Sequence, residues 1–369
     1  TASGFAACGK LFSSLFGVKY LTAMIISAIV IVAYTTLGGF LAASTTDFIQ
    51  SIIMSVALIV VLIFGVETAG GIGAVIHNAS ELPGYLSMTL SYDVNTGKAA
   101  PYSALTIVST AAWGLGYFGM PHILLRFMAI EDEKKLKLSR RVATIWVVIS
   151  LFVAVFIGVI GYTMSKVGAL EMLTGSNSET IIVKISALLS QHGVIFALLA
   201  GVILAGILAS TMSTSDSQLL AASSAVSSDI LGAFRKDSSN KNGSMAAARI
   251  TLLVISVVAA FIARNPDSSV FAIVSFAWAG FGAAFGPVVL FSLFWKRTNK
   301  WGALAGMVCG GSMVFIWKYL IRPLGGIWNI YELLPAFLIA CAAIVIVSLL
   351  TPKPSKEIEE EFDRVAQMK

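Results

Sequence analysis

Oxygen-bearing side chains are densely grouped between residues 210 and 217. Six hydroxyl groups and one carboxylate occur within these eight residues: Ser210, Thr211, Ser213, Thr214, Ser215, Asp216 and Ser217. Oxygen ligands select small hard cations. A single Ser or Thr in an apolar helix usually bonds back to its own helix and has only a structural role. The density of hydroxyls in this group favours a cation site.

A second unusual run lies between residues 113 and 122, with the sequence Trp-Gly-Leu-Gly-Tyr-Phe-Gly-Met-Pro-His. Gly and Pro weaken or remove helix hydrogen bonds. In a membrane such a break is tolerated only where the freed backbone groups face protein, water or a ligand. The run therefore predicts a broken helix, and secondary transporters bind their substrates at such breaks. The alternative is a packing kink between helices that meet through small residues.

Hydrolytic and redox chemistry find no support in the sequence. The histidines, His77, His122 and His192, are far apart, and the common hydrolase, phosphate-binding and zinc-protease motifs do not occur. The cysteines Cys8, Cys309 and Cys341 lie in apolar runs without a pairing pattern, which is typical of packed thiols. The sequence does not predict an enzyme.

The elements that position these residues are apolar helices. Of the 369 residues, 57% are hydrophobic and only 12% are charged, and the mean hydropathy is +0.88. Since about 20 apolar residues cross a bilayer as a helix, the charge-free stretches predict nine transmembrane helices in an all-α polytopic membrane protein. The stretches are 20–46, 48–66, 99–125, 142–165, 185–215, 250–263, 268–295, 301–317 and 333–352. The 250–263 stretch is short, and we expect Arg249 and Arg264 to extend it by snorkelling.

The positive charges are distributed unevenly between the loops. The loops after 125, 230 and 295 and the tail after 352 carry 17 of the 25 Lys and Arg residues. The positive-inside rule makes that side cytoplasmic. A net charge of +6 therefore indicates membrane orientation and not nucleic-acid binding. We expect residues 353–369 to form a cytoplasmic tail, either solvated or as a short surface helix.

Several runs resemble the solute:sodium symporter family, in particular its bacterial sodium/proline symporters. They are Tyr34 to Phe40, Thr46 with Asp47, Trp113 to His122 with Arg126 to Met128, Ala209 to Ser217, and Trp278 to Pro287. The resemblance covers nearly the whole chain in order and spacing. It implies a LeuT-type inverted repeat of five plus five helices within one transmembrane domain, residues 1–352.

The same resemblance assigns a place to each helix. Residues 1–16 correspond to the end of core helix 3, and the nine predicted spans correspond to core helices 4 to 10 and two appended helices. Core helices 1 and 2 would lie before Thr1, so the chain is expected to be an N-terminally truncated fragment. Core helix 1 would supply the remaining ligands of the substrate and sodium sites.

Site residues also follow from the resemblance. The implied sodium ligands are the hydroxyls of Ser213 and Thr214 and the carbonyl of Ser210. The implied substrate residues are Trp113, Tyr117 and Pro121. Aromatic faces suit the apolar ring and ammonium of proline, and the i and i+4 spacing of Trp113 and Tyr117 predicts that they face one cavity.

The resemblance also implies a possible second cation site, formed by Asp47 with Ser213, Asp216 and Ser217 as the positions on core helix 8. The other interpretation of Asp47 is a solvated or helix-capping carboxylate at the start of core helix 5. Adjacent carboxylates repel unless a cation neutralises them. We therefore expect Asp47 and Asp216 to lie close together on the cytoplasmic exit path and to hold a cation.

The resemblance implies a sodium-coupled symporter that imports proline or a related small solute across the plasma membrane by alternating access. Met120 and Thr45 depart from the usual residues of sodium/proline symporters, which leaves sugars, sialic acid and pantothenate as alternatives. A transporter-like sensor domain is another alternative, and a passive channel would need rings of pore charges that the spans lack. The implied partners are sodium, the solute and the lipid bilayer, with no nucleic acid and no obligate protein partner.

Overall fold

A computed structural model describes residues 1–234, 241–266 and 269–367. Its α-helices are α1 (Ala2–Phe16), α2 (Tyr20–Thr68), α3 (Ile72–Ser80), α4 (Ala104–Ala111), α5 (Pro121–Met128), α6 (Leu136–Lys166), α7 (Ile181–Leu189), α8 (Val194–Ser224), α9 (Leu231–Phe234), α10 (Lys241–Ile262), α11 (Val270–Phe294), α12 (Lys300–Ile316), α13 (Leu333–Leu350) and α14 (Lys356–Gln367). One hairpin joins β1 (Leu90–Asp93) to β2 (Lys98–Pro101). The predicted all-helical class is confirmed for the spanning segments.

Eight helical segments within the described residues are long and apolar enough to cross a membrane. They are Tyr20–Leu41, Ala43–Thr68, Glu133–Lys166, Val194–Ile230, Met245–Ile262, Val270–Phe294, Lys300–Leu324 and Leu333–Leu350. The remaining predicted span, 99–125, is not continuous. It contains the end of β2, then α4, a 3₁₀ segment over Ala112–Gly119 and the first part of α5. The predicted break is therefore present.

The first two predicted spans are separated at a different residue from the one expected. The division was placed at Asp47, but α2 is kinked at Gly39, whose φ of 65° and ψ of −166° are not helical. Glycine without a Cβ adopts this conformation readily. Asp47 instead lies inside the second half of α2.

Two other predicted boundaries were wrong. The 185–215 stretch contains a break at Gly193, with φ 111°, so that α7 ends before it and α8 begins after it. Arg249 lies within α10 and not at its end, because that helix already begins at Lys241. Arg264 follows α10 and its guanidinium lies 4.2 Å from the centre of the Phe261 ring. Arg235, Lys236 and Lys369 of the positive-charge count lie outside the described residues.

The contacts divide the chain into two compact units. The first comprises residues 1–86, 92–99 and 130–273. Its helix α8 packs against both halves of α2, against α7 and against α10. Gly206 allows α8 to approach α2 closely, because a Cβ added to Gly206 would lie 2.7 Å from Ala57 Cβ. Small residues of this kind permit close helix packing in membranes.

The second unit comprises residues 87–91, 100–129 and 274–369. Its helices α12 and α13 meet along three glycines spaced four residues apart, Gly302, Gly306 and Gly310. A Cβ on Gly302 would lie 1.9 Å from Ser348 Oγ, and one on Gly306 would lie 2.4 Å from Ile344 Cγ1. This stripe of small residues brings the two helices into close contact.

The tail forms α14, as in the surface-helix interpretation. Lys296 pairs with Asp363 at 2.5 Å, which raises the pKa of Lys296 through the hydrogen bond to that carboxylate. Arg297 Nη2 donates to the carbonyl of Thr351 at 2.7 Å. The loop between α11 and α12 therefore contacts both the end of α13 and α14.

Candidate functional site

The hydroxyl group on α8 converges on one backbone oxygen. Thr214 Oγ1 donates to the Ser210 carbonyl at 3.0 Å, and Ser213 Oγ donates to the same carbonyl at 3.2 Å. The three oxygens therefore share one face of α8, as expected for positions i, i+3 and i+4. Each hydroxyl retains lone pairs that can face a cation. The same bonds are also those of ordinary back-bonding hydroxyls.

The structure brings Asp47 and Asp216 together. Ser217 Oγ lies 3.4 Å from Asp47 Oδ2 and 3.3 Å from Asp216 Oδ1. Because one hydroxyl lies within hydrogen-bond distance of both, the carboxylates are far closer than two Debye lengths, about 16 Å at physiological salt. Asp216 is fully buried. Asp47 lies in the helix interior, which excludes the helix-capping interpretation.

Tyr34 is a further member of this group that sequence reasoning did not assign. Its hydroxyl lies 2.9 Å from Asp216 Oδ2 and 3.1 Å from the Met212 carbonyl. Tyr34 precedes the Gly39 kink and Asp47 follows it, so both halves of α2 contribute to the same contact with α8. Tyr34 lies in the Tyr34 to Phe40 run that resembles the family. Its contact with α8 is seen only in the folded structure.

The broken segment is held by aromatic contacts. Trp113 and Tyr117 both contact the ring of Trp278 on α11. Trp113 is nearly parallel to it, with centroids 5.5 Å apart and a 16° angle, and Tyr117 meets it edge-on at 4.8 Å. The i and i+4 spacing does not place Trp113 and Tyr117 on one helix face, because the segment is a 3₁₀ helix, in which residues i and i+4 are not aligned. What they share is Trp278.

Glycines bring the broken segment into close contact with α11. A Cβ on Gly116 would lie 1.9 Å from Trp278 Nε1, and one on Gly119 would lie 2.3 Å from the Phe281 carbonyl oxygen. After Gly119, Met120 is extended and Pro121 begins α5, the position where a missing N–H costs least. Pro121 thus begins the new helix, and its role of keeping the helix end open stays a prediction.

Trp278 and Tyr331 were not among the predicted site residues. Tyr331 lies before α13, and its ring is nearly parallel to that of Trp113, at 6.1 Å and 14°. Trp278 lies in the Trp278 to Pro287 run that resembles the family, but the run gave it no site role. No local sequence pattern indicates a site role for Tyr331. Their proximity to Trp113 depends on tertiary structure.

Within the described residues, no group of three or more His, Cys, Asp or Glu residues could hold a metal ion. The hydroxyl and carbonyl oxygens on α8 are neutral ligands. Such ligands suit a small monovalent cation better than a transition metal, which prefers nitrogen or sulfur.

The sequence matches a family model. Residues 1–310 match the model described as Sodium:solute symporter family. The chain belongs to this family, and it is a multi-pass membrane protein.

Curated relatives extend the similarity over most of the chain. The sodium/proline symporter of Haemophilus influenzae is 40% identical over 369 residues, covering 98% of this chain and 70% of the relative. The osmoregulated proline transporter OpuE of Bacillus subtilis is 38% identical, covering 96% of this chain and 68% of the relative. The high-affinity proline transporter PutP of the same organism is 38% identical and covers 98% and 72%.

A solved structure shares the fold. It is described as the substrate-bound outward-open state of a Na+-coupled sialic acid symporter and aligns with a TM-score of 0.72 and 17% identity. The alignment covers 95% of this chain and 71% of that one. The symporter fold is therefore common to both.

Proposed function

We propose that this chain is a sodium-coupled symporter that imports proline. The observation that carries this proposal is the similarity, at 36 to 40% identity over 96 to 100% of the chain, to relatives named as proline transporters. Sodium is the coupling ion. The protein is a transporter and not an enzyme, which agrees with its lack of hydrolytic and redox motifs.

The proposed solute site comprises Trp113, Tyr117 and Pro121. Tyr117 is 44% exposed, and its edge contact with Trp278 leaves a substantial part of the ring accessible. An aromatic face attracts both the apolar ring and the secondary ammonium of proline, and the cation–π contribution is about 0.5 to 2 kcal/mol. The break also frees backbone groups that can bond to the carboxylate and ammonium groups.

The proposed sodium site comprises Ser213 Oγ, Thr214 Oγ1 and the Ser210 carbonyl. Their convergence within one turn of α8 supports this assignment. A hard monovalent cation takes several neutral oxygen ligands. When sodium binds, the two hydroxyls would turn their protons away from the Ser210 carbonyl so that all three oxygens face the ion.

The proposed second cation site comprises Asp47, Asp216 and Ser217. Its support is the burial of Asp216 beside a second carboxylate, with Ser217 between them. Two carboxylates in one buried place need a cation or a proton to limit their repulsion. A cation leaving toward the cytoplasm would be held there transiently.

The proposed architecture is a LeuT-type inverted repeat in the plasma membrane, with alternating access and a cytoplasmic C-terminus. The kinked α2, the broken 99–125 region and the 17 Lys and Arg residues on one side support this arrangement. A Cys placed in α14 and labelled with an impermeant maleimide tests the orientation. Labelling from the outside of intact cells would contradict it.

Uptake into proteoliposomes tests the function. We expect radiolabelled proline to accumulate above its external concentration under an inward sodium gradient, and only to equilibrate when potassium replaces sodium. Tyr117→Ala should raise the KM for proline by about tenfold, whereas Tyr85→Ala, at an exposed tyrosine after α3, should leave it unchanged.

The competing functions give different outcomes in the same assay. Sodium-driven uptake of a sugar, sialic acid or pantothenate, with proline failing to compete, would replace proline as the solute and keep the coupling. Proline binding without accumulation would favour the sensor alternative. Unchanged kinetics in Tyr117→Ala at normal membrane levels would remove the assigned solute site.

A further inference from the structure

Trp278 forms a hydrogen bond to the backbone of the broken helix. Its Nε1–H donates to the Trp113 carbonyl at 2.9 Å. Residues 112–119 are 3₁₀ and not α-helical, so the carbonyls there pair with N–H groups three residues on, in poorer geometry than in an α-helix. The indole N–H supplies the Trp113 carbonyl with a side-chain donor from α11. The indole also occupies the space that a side chain on Gly116 would fill.

Tyr331 is fixed at both ends. Its backbone N–H donates to Ser109 Oγ on α4 at 3.1 Å, and its hydroxyl donates to the Ser275 carbonyl on α11 at 2.6 Å. Its ring is nearly parallel to that of Trp113. Tyr331 thus contacts α4, α11 and the ring of Trp113 in the broken segment.

The residue after Tyr331 anchors this segment. Glu332 is only 2% exposed and pairs with Arg322 at 2.8 Å and with Lys318 at 3.9 Å. Removing either cationic partner would leave this buried carboxylate less well compensated, so the two ion pairs favour one position for the segment. The ring of Tyr331 is therefore held in place. Tyr331 lies outside the match to the family model, which ends at residue 310.

We propose that Trp278 and Tyr331 are positioning residues of the solute site, Trp278 for the backbone of the break and Tyr331 for the ring of Trp113. Together they set the size of the cyclic solute that fits against Trp113 and Tyr117. The segment before α13 thereby contributes to solute selection. This inference rests on the proposed function for its solute and on the geometry alone for its contacts.

Transport kinetics provide the first test. Trp278→Phe keeps an aromatic ring and removes the N–H, and we expect the KM for proline to rise about 3- to 10-fold, with kcat and the sodium half-saturation constant nearly unchanged. Tyr331→Leu should change the ratio of the KM for proline to the KM values of its four- and six-membered ring homologues, azetidine-2-carboxylate and pipecolate. Trp328→Phe is the control, because Trp328 packs against Trp317 in the same unit.

A purely structural role predicts another pattern. Membrane level and kcat would fall, while the three KM values would keep their ratios. That result, or KM values equal to those of the parent in both variants, would overturn the proposal.

A measurement that needs no solute separates this inference from the proposed function. The ring centroids of Trp113 and Trp278 are only 5.5 Å apart, a separation at which indole transitions couple, so the pair should contribute an exciton signal to the circular dichroism of the purified protein. Tyr331→Leu retains every tryptophan and should weaken that signal, whereas Tyr85→Leu should not. An unaltered signal in Tyr331→Leu would refute the positioning role even if proline transport is normal. A weakened signal in a protein that transports none of the three solutes would support the positioning and refute the assigned substrate.

Discussion

The proposed sodium-site region of α8 and the broken segment between α4 and α5 are built in different ways. On α8 the hydroxyls bond to a carbonyl three or four residues away, within an uninterrupted helix. In the broken segment Trp113 accepts a hydrogen bond from a residue 165 positions away, and Ser109, just before the segment on α4, accepts one from a residue 222 positions away. The proposed cation ligands are arranged by local helix geometry, whereas the aromatic group depends on long-range packing.

This difference has a practical consequence for mutagenesis. Removing a hydroxyl from α8 leaves the helix intact because backbone bonds hold it, so ion binding should change alone. Changing a packing residue of the broken segment should alter the backbone path and therefore every function that depends on it. The following substitutions test that distinction.

The largest effect is expected from Gly116→Leu. Its Cβ would overlap Trp278 Nε1, a rigid ring atom, at 1.9 Å, and overpacking of this kind costs about 1 to 3 kcal/mol or more. We expect uptake per membrane-inserted molecule to fall at least about tenfold. Gly114→Ala is the control, because nothing lies within 4 Å of its added Cβ. Equal losses in the two variants would argue against the close contact with Trp278.

The next largest effect is expected from Thr214→Ala. Loss of a ligand to a charged group costs about 1.5 to 3 kcal/mol, so the half-saturating sodium concentration should rise at least about tenfold. Proline affinity at saturating sodium should change much less. Thr211→Ala is matched to it, since Thr211 Oγ1 also bonds back to its own helix, at Ile207 O and 3.0 Å. Parent-like sodium dependence in Thr214→Ala would remove this residue from the site.

A smaller effect is expected from Asp47→Asn. The substitution keeps the shape and removes one of two adjacent charges, so we expect a several-fold higher half-saturating sodium concentration and a lower Hill coefficient for sodium. Asp93→Asn, in the exposed hairpin, is the carboxylate control. Sodium activation curves that superimpose on that of the parent would contradict the second cation site.

The smallest effect is expected at Glu179, between α6 and α7. Burial acts to raise its pKa, but hydrogen bonds from Lys10, Ser269 and the Val270 N–H outweigh burial and hold the pKa below the usual 4.5. A carboxylate with a lowered folded-state pKa stabilises the fold above pH 4.5 and loses that contribution as the pH falls through the folded-state value.

Glu179→Gln should therefore lower the Tm by no more than a few degrees at pH 7. The difference from the parent should shrink as the pH falls below 4.5. Glu131→Gln, at a carboxylate that is 90% exposed, should show almost no difference at either pH. If the difference in Tm between Glu179→Gln and the parent stays constant from pH 7 to below pH 4.5, the ionised carboxylate does not contribute to stability.

The positions of most spanning helices along the chain could be predicted from the sequence, for a physical reason. Charge-free length reports directly on the cost of placing charges in a bilayer, and the Gly and Pro content of residues 113–121 reports on lost helix bonds. Both signals are local. The division of α2 at Gly39 was missed because a tight kink needs only one glycine, and Asp47 was misleading because its charge is accommodated inside the helix beside Ser217.

The partners at the sites are harder to predict. That the oxygens of Ser210, Ser213 and Thr214 share one face of α8 could be predicted from helix periodicity. Trp278, Tyr331 and Tyr34 could not, because each meets its partner only after distant helices have packed. Apolar sequence alone does not specify which helices are neighbours.

The kink at Gly39 also constrains how the chain can vary in length. Tyr34 before it and Asp47 after it both meet α8 at adjacent residues, Asp216 and Ser217. One inserted residue between them would rotate the following helix by about 100° and move Asp47 off Ser217. Insertions and deletions should consequently be excluded between residues 35 and 46, even though Leu37 and Leu41 there are about 80% exposed.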